Sequence, residues 1–90
     1  MLTIEIEKSF EEDYKRLNKK HYDFCEFRKV LFLLKNEKNI PHKYKDHHLK
    51  GDKQGYKECH IENDIILIYQ IVNNKLILYR IGSHKDLLNK

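Results

Sequence analysis

Glycine, proline and cysteine are scarce in this chain, and each scarcity removes a class of function. The three glycines, Gly51, Gly55 and Gly82, are too scattered for a Gly-rich phosphate loop or a dinucleotide fingerprint, and no GxSxG occurs. The two cysteines, Cys25 and Cys59, form no CxxC pair. No HExxH or paired HxxxH accompanies them, so no zinc pattern is matched. The N-terminal stretch lacks a charged leader followed by an apolar segment. The expectation is therefore a reducing cytosol with both thiols free. The longest mostly apolar run, Ile65–Val72, is far too short to span a bilayer, so no membrane role is expected. Internal repeats, linkers and low-complexity segments are missing as well.

What remains reads as a single domain over residues 1–90, with 40% hydrophobic and 36% charged residues. A chain of this length buries roughly 60–65% of its unfolded surface, enough for one modest core. The formal net charge is +4, unevenly spread. Residues 1–41 carry nine Lys/Arg against eight Asp/Glu. Residues 42–90 carry nine against six, and five of the six histidines. A basic, histidine-bearing half points to a polyanionic partner such as nucleic acid.

Periodicity sets the element order. Leu2, Ile4 and Ile6 alternate with polar residues, as in a short strand with one buried face. Ser9 with Glu12 forms a capping box, and Phe10, Tyr14 and Leu17 share one face of the helix it should open. Asp23 with Glu26 opens a second helix with Phe24, Phe27, Val30, Leu31 and Leu34 on one face, ended near Pro41. Residues 42–55 read as a loop with a short edge strand near His48–Lys50. Tyr56–Ile61 alternates. Ile65–Val72 reads as a central strand, Asn73-Asn74 as a two-residue hairpin, and Lys75–Ile81 as the returning strand with Leu76, Leu78 and Arg80 on one face. A terminal helical turn is expected over His84–Leu88. The fold class is α+β: two N-terminal helices on a twisted, mainly antiparallel sheet of four to five strands.

The chemistry concentrates between residues 42 and 64, which hold four histidines, five lysines and five acids. Imidazole is the side chain whose ordinary pKa lies nearest neutrality, so histidines beside carboxylates suit proton transfer. Glu58 and His60 stand two apart on one strand and point the same way. Asp64 follows in a turn, His47 precedes on the loop, and the last strand returns Arg80 and His84 to the same end. Such a set suits in-line cleavage of RNA, whose 2′-hydroxyl is its own nucleophile. The plain alternative is a solvated strand face with Arg80 paired to Glu58. A metal site drawn from His47, His48, Cys59, His60, Asp64 and His84 is a further alternative without a matching spacing.

Three short motifs occur in series: Tyr44 to Gly51; Gly55 to Asp64, followed by Ile68-Tyr69; and Arg80 to His84. In order and separation they resemble the YafQ branch of the RelE/ParE superfamily of bacterial type II toxins, and the likeness runs along essentially the whole chain. The resemblance implies a ribosome-dependent endoribonuclease that cuts mRNA without a cofactor. It also implies an acidic antitoxin of the RelB/DinJ kind, operator DNA bound only as the toxin–antitoxin complex, and a cytoplasmic location. It implies an acid–base set of His47, His60, Asp64 and His84, with Glu58 nearby and Arg80 holding the scissile phosphate. Lys43, Lys45, Lys50, Lys53, Lys57 and Leu88 are the expected RNA- or ribosome-facing residues. Four positions depart from the family pattern: Lys57 stands for arginine, Asn63 and His48 for prolines, and Leu88 for a base-stacking phenylalanine. Two rivals follow from the same fold: a ParE-like gyrase inhibitor, and a weakened toxin that serves mainly as an antitoxin- and DNA-binding subunit.

Overall fold

The computed structural model describes residues 1–49 and 55–88. Lys50, Lys53 and the side chain of Leu88, all expected to face RNA, lie outside the described part. The elements are β1 (Thr3–Ile6), α1 (Lys8–Lys19), α2 (Cys25–Lys35), a 3₁₀ turn (His42–Tyr44), β2 (His47–His48), β3 (Tyr56–Glu62), β4 (Ile65–Val72), β5 (Lys75–Ser83) and α3 (His84–Leu88). The sheet order is β1-β5-β4-β3-β2. Three of its pairings are antiparallel, and β1 joins β5 in parallel, so the sheet is mixed.

Alternation in the strands sends Cys59, Ile61, Leu67, Tyr69, Leu76 and Leu78 to one face, where all are buried. Phe10, Phe24, Phe27, Val30 and Leu34 come down on them from α1 and α2. Tyr14 stacks on Phe24 at 4.2 Å between ring centroids. The expected helix faces are thus the core faces. Both cysteines are free. Burial, with Asp46 nearby, pushes the Cys59 thiol up to about 12, which makes it an inert core residue.

The hairpin between β4 and β5 forms as expected, with Asn73 and Asn74 at φ of 51° and 65°. The returning strand does not keep strict alternation. Ile68 pairs with Arg80 while Tyr69 pairs with Leu78, so Tyr79 is bulged out. The extra residue flips everything after it. Ile81 takes the core position, and Arg80 turns to the opposite face from Leu76 and Leu78, contrary to the expected pattern.

Neither expected capping signal works as read. The N-cap of α1 is Glu7, two residues earlier than the box requires, and no side chain caps it. Ser9 instead donates its hydroxyl to the Tyr79 carbonyl at 2.7 Å. At the second helix the N-cap is Phe24, and Asp23 accepts the Cys25 N–H at 2.9 Å. Asp13, one turn beyond Ser9, is 1% exposed. Its carboxylate accepts hydrogen bonds from Arg80, Arg16 and the Ile81 N–H. Burial opposes its ionisation, but those three donors outweigh burial and hold its pKa below the ordinary 3.8.

Because the folded value lies below the unfolded one, the stability that Asp13 confers is complete above the ordinary carboxyl range. It is lost as pH falls through the folded value. Thermal unfolding followed from pH 7 to pH 2 should show Asp13→Asn destabilised by about 3 kcal/mol at neutral pH, the scale of breaking a buried pair. The gap to the unaltered protein should close below the folded pKa. A gap that stays constant with pH would show that the charge of Asp13 contributes nothing.

Candidate active site

On β3, Glu58 and His60 point away from the helices, and Lys57 and Cys59 point toward them. The two-residue β2 pairs antiparallel with β3 and sets His47 directly across from Glu58. The edge strand expected at His48–Lys50 therefore begins one residue earlier, and His47 belongs to it rather than to the loop. His84 arrives from the far side as the first residue of α3, its N–H donated to the Asp64 carbonyl at 3.0 Å.

These placements gather three imidazoles around one carboxylate. Nε2 of His60 lies 3.0 Å from Glu58 Oε2, His84 Nε2 3.4 Å from the same oxygen, and His47 Nε2 3.5 Å from Oε1. The rings form a chain, with His60 between His47 at 5.9 Å and His84 at 6.1 Å by centroid. Glu58 is 4% exposed, whereas the side chains of His47 and His84 are about half exposed. A buried carboxylate needs charge or hydrogen bonds to offset its desolvation, and here the imidazoles supply them.

Protonation follows from the partners of His47. Its Nδ1 lies 2.6 Å from the Lys45 carbonyl, which can only accept, so Nδ1 carries a hydrogen. Nε2 then faces Glu58.

The other expected members are less close. The Asp64 carboxylate is exposed and makes no hydrogen bond or ion pair among the described residues; its backbone carbonyl does the positioning instead. Arg80 shares the Glu58 face through the Ile68 register, yet its guanidinium is held by Asp13 through Nε at 2.6 Å and Nη2 at 3.1 Å. The expected alternative pairing of Arg80 with Glu58 is thereby replaced. Asp13 was missed from the sequence, where it sits among the acids of an exposed-looking helix.

The expected basic rim divides. Lys45 is exposed beside β2 in a left-handed conformation, with φ of 46°. Lys43 lies over the Tyr44 ring and lines a groove of about 630 Å³ beside α2, with Arg28, Phe32 and Leu33. Lys57 lies on the face opposite Glu58, because alternation turns it toward the helices. There it donates to Asp46 at 2.9 Å, and Asp46 also accepts a short hydrogen bond from the buried Tyr69 hydroxyl.

The fold is a small α+β domain with a histidine-rich cleft on a mixed sheet backed by two helices. A family model described as the bacterial toxin of type II toxin–antitoxin systems, YafQ, matches residues 2–89, and the chain belongs to that family. The mRNA interferase toxin YafQ of Escherichia coli K12 is 36% identical over 85 residues, covering 93% of this chain and 92% of that protein. A metal-bound toxin from Helicobacter pylori has a TM-score of 0.90 at 45% identity, covering 97% of this chain and 99% of the toxin. The toxin in the E. coli DinJ–YafQ complex has a TM-score of 0.88 at 35% identity, covering 97% and 98%.

The pairing of Lys57 with Asp46 has a direct consequence. Lys57→Ala should leave RNA affinity and cleavage unchanged while lowering stability by about 1 kcal/mol, the scale of a partly exposed pair. Filter binding and thermal unfolding on one preparation measure both. Lost RNA affinity with unchanged stability would return Lys57 to the RNA surface.

Proposed function

We propose that this chain is a cytoplasmic mRNA interferase that cuts translated mRNA on the ribosome by acid–base chemistry and is restrained by an acidic antitoxin. The carrying observation is Glu58 buried among three imidazoles within 3.5 Å. His47 or His60 takes the proton of the RNA 2′-hydroxyl, whose oxygen attacks the adjacent phosphorus. His84 gives a proton to the departing 5′-oxygen. The products are a 2′,3′-cyclic phosphate and a 5′-hydroxyl, and the proton count balances. Glu58 holds the rings and shares their charge, and Arg80 neutralises charge on the phosphoryl oxygens. Family membership supports this reading, and so does the name carried by the E. coli relative. The DinJ–YafQ complex supports an antitoxin partner; the net +4 charge favours an acidic one, and operator DNA would be bound by the complex.

Translation of a defined mRNA with the purified protein, followed by mapping of 5′ ends, tests this. Codon-phased cuts are expected with ribosomes and none on the free transcript. His84→Ala and Glu58→Gln should slow cutting about 10²–10⁴-fold, the usual reach of general acid–base catalysis. Undiminished cutting by both variants would refute the assignment. Uncut mRNA together with blocked gyrase supercoiling would favour the ParE-like reading.

A second reading rests on one further observation. One ligand atom each from His47, Glu58 and His60 can lie within 4.8 Å of one another, a spacing that fits a metal ion. The Helicobacter pylori toxin was solved in metal-bound form. An ion there would supply Lewis-acid charge at a phosphoryl oxygen. It would also occupy the nitrogens that the acid–base scheme needs. Activity should therefore survive exhaustive EDTA treatment and fall at least tenfold when Cu²⁺, which such nitrogen ligands bind most tightly among divalent first-row ions, is restored. Activity lost with EDTA and regained with metal would favour the metal-dependent reading.

A further inference from the structure

β1 stops at Ile6, opposite Leu78, and beyond that point β5 has an uncovered edge. Two residues of α1 complete it. Ser9 serves the Tyr79 carbonyl, and four residues on, Asp13 accepts the Ile81 N–H at 3.1 Å. A buried carboxylate needs a cation, and Arg16 on the same helix supplies one at 3.0 Å. Arg80 supplies a second, closer one at 2.6 Å. In doing so it commits the whole Nε/Nη2 edge of its guanidinium to Asp13. A planar guanidinium held by two acceptors along one edge has a fixed plane. Its Nη1 makes no hydrogen bond among the described residues and is left to bond elsewhere. The bulge at Tyr79 has already turned Arg80 to the Glu58 face.

We propose that Asp13 is a positioning residue for the reaction: it grips Arg80 by one edge so that Nη1 is presented to the scissile phosphate. The inference rests on the reading of Arg80 as the phosphate-binding cation. Asp13 itself touches no substrate. Its contribution is to spare Arg80 the loss of rotamer freedom that gripping a phosphate would otherwise require.

A double-mutant cycle on the full chain tests it, with single-turnover cutting of a defined mRNA in translating ribosomes as the readout. Arg80→Ala should lower kcat/KM at least 30-fold. Asp13→Asn should lower it about tenfold in the Arg80 protein, chiefly in kcat, and less than twofold in the Arg80→Ala background. Equal losses in both backgrounds would overturn the proposal, since a purely structural role needs no Arg80. A silent Asp13→Asn beside a damaging Arg80→Ala would overturn it while leaving the phosphate reading intact. A silent Arg80→Ala would sink both. Asp13→Asn can also fail to fold, and a measurement on the unaltered protein covers that case. The Arg80 Nε–Hε resonance should exchange with solvent at least tenfold more slowly than that of Arg28. Exchange as fast as at Arg28 would mean that the grip does not persist in solution.

Discussion

A strand edge left without a partner must find one, and the carboxylate of Asp13 is how this fold answers that requirement. β1 pairs with only the first part of β5. Past it, a buried N–H at Ile81 would cost on the order of 1–3 kcal/mol if unpaired. Asp13 supplies the acceptor, Ser9 the neighbouring donor, and so α1 is docked by polar bonds at the edge as well as by Phe10 in the core. The solution creates a new demand, because an ionised carboxylate at 1% exposure needs cations. Arg16 and Arg80 meet it. One structural debt thereby ties the helix layer to a residue of the cleft.

Glu58 solves a similar problem differently. It is nearly as buried, yet no arginine or lysine reaches it among the described residues; its neighbours are His47, His60 and His84. A fixed cation would hold the carboxylate permanently ionised and quiet. Imidazoles can exchange protons with it and with each other across about 6 Å between ring centroids. The two buried acids among the described residues thus differ in their partners: Asp13 is held by permanent cations, Glu58 by imidazoles.

Much of this was legible in the sequence. Simple alternation placed Glu58 and His60 on one face of β3, and the turn chemistry of Asn73-Asn74 located the hairpin. The apolar stripes of α1 and α2 were the core stripes. What was not legible depended on one inserted residue and on pairings distant in sequence. The bulge at Tyr79 leaves no mark in composition, yet it alone decides which face Arg80 takes. Ser9 followed by Glu12 matched a capping box, but the nearby edge of β5 competed for the hydroxyl and won. Asp13 lies 67 residues from Arg80, so no local pattern could join them. Lys57 is the opposite case: alternation already assigned it to the face opposite Glu58, where it pairs with Asp46.

The turn between β3 and β4 shows how a departure from the family pattern reaches the chemistry. Asn63, which by the family resemblance stands for a proline, has a φ of 44°. Proline is locked near −65° and cannot adopt that conformation, whereas asparagine tolerates it at small cost. The change is therefore not a loosened version of the same turn but a different backbone path. The path matters because the next carbonyl, that of Asp64, accepts the His84 N–H at 3.0 Å and so anchors the start of α3. His84 in turn sets its ring 3.4 Å from Glu58. Asp64 then acts through its backbone, while its carboxylate stays exposed to solvent. The turn that carries Asn63 is thus part of the support for the His84 imidazole beside Glu58.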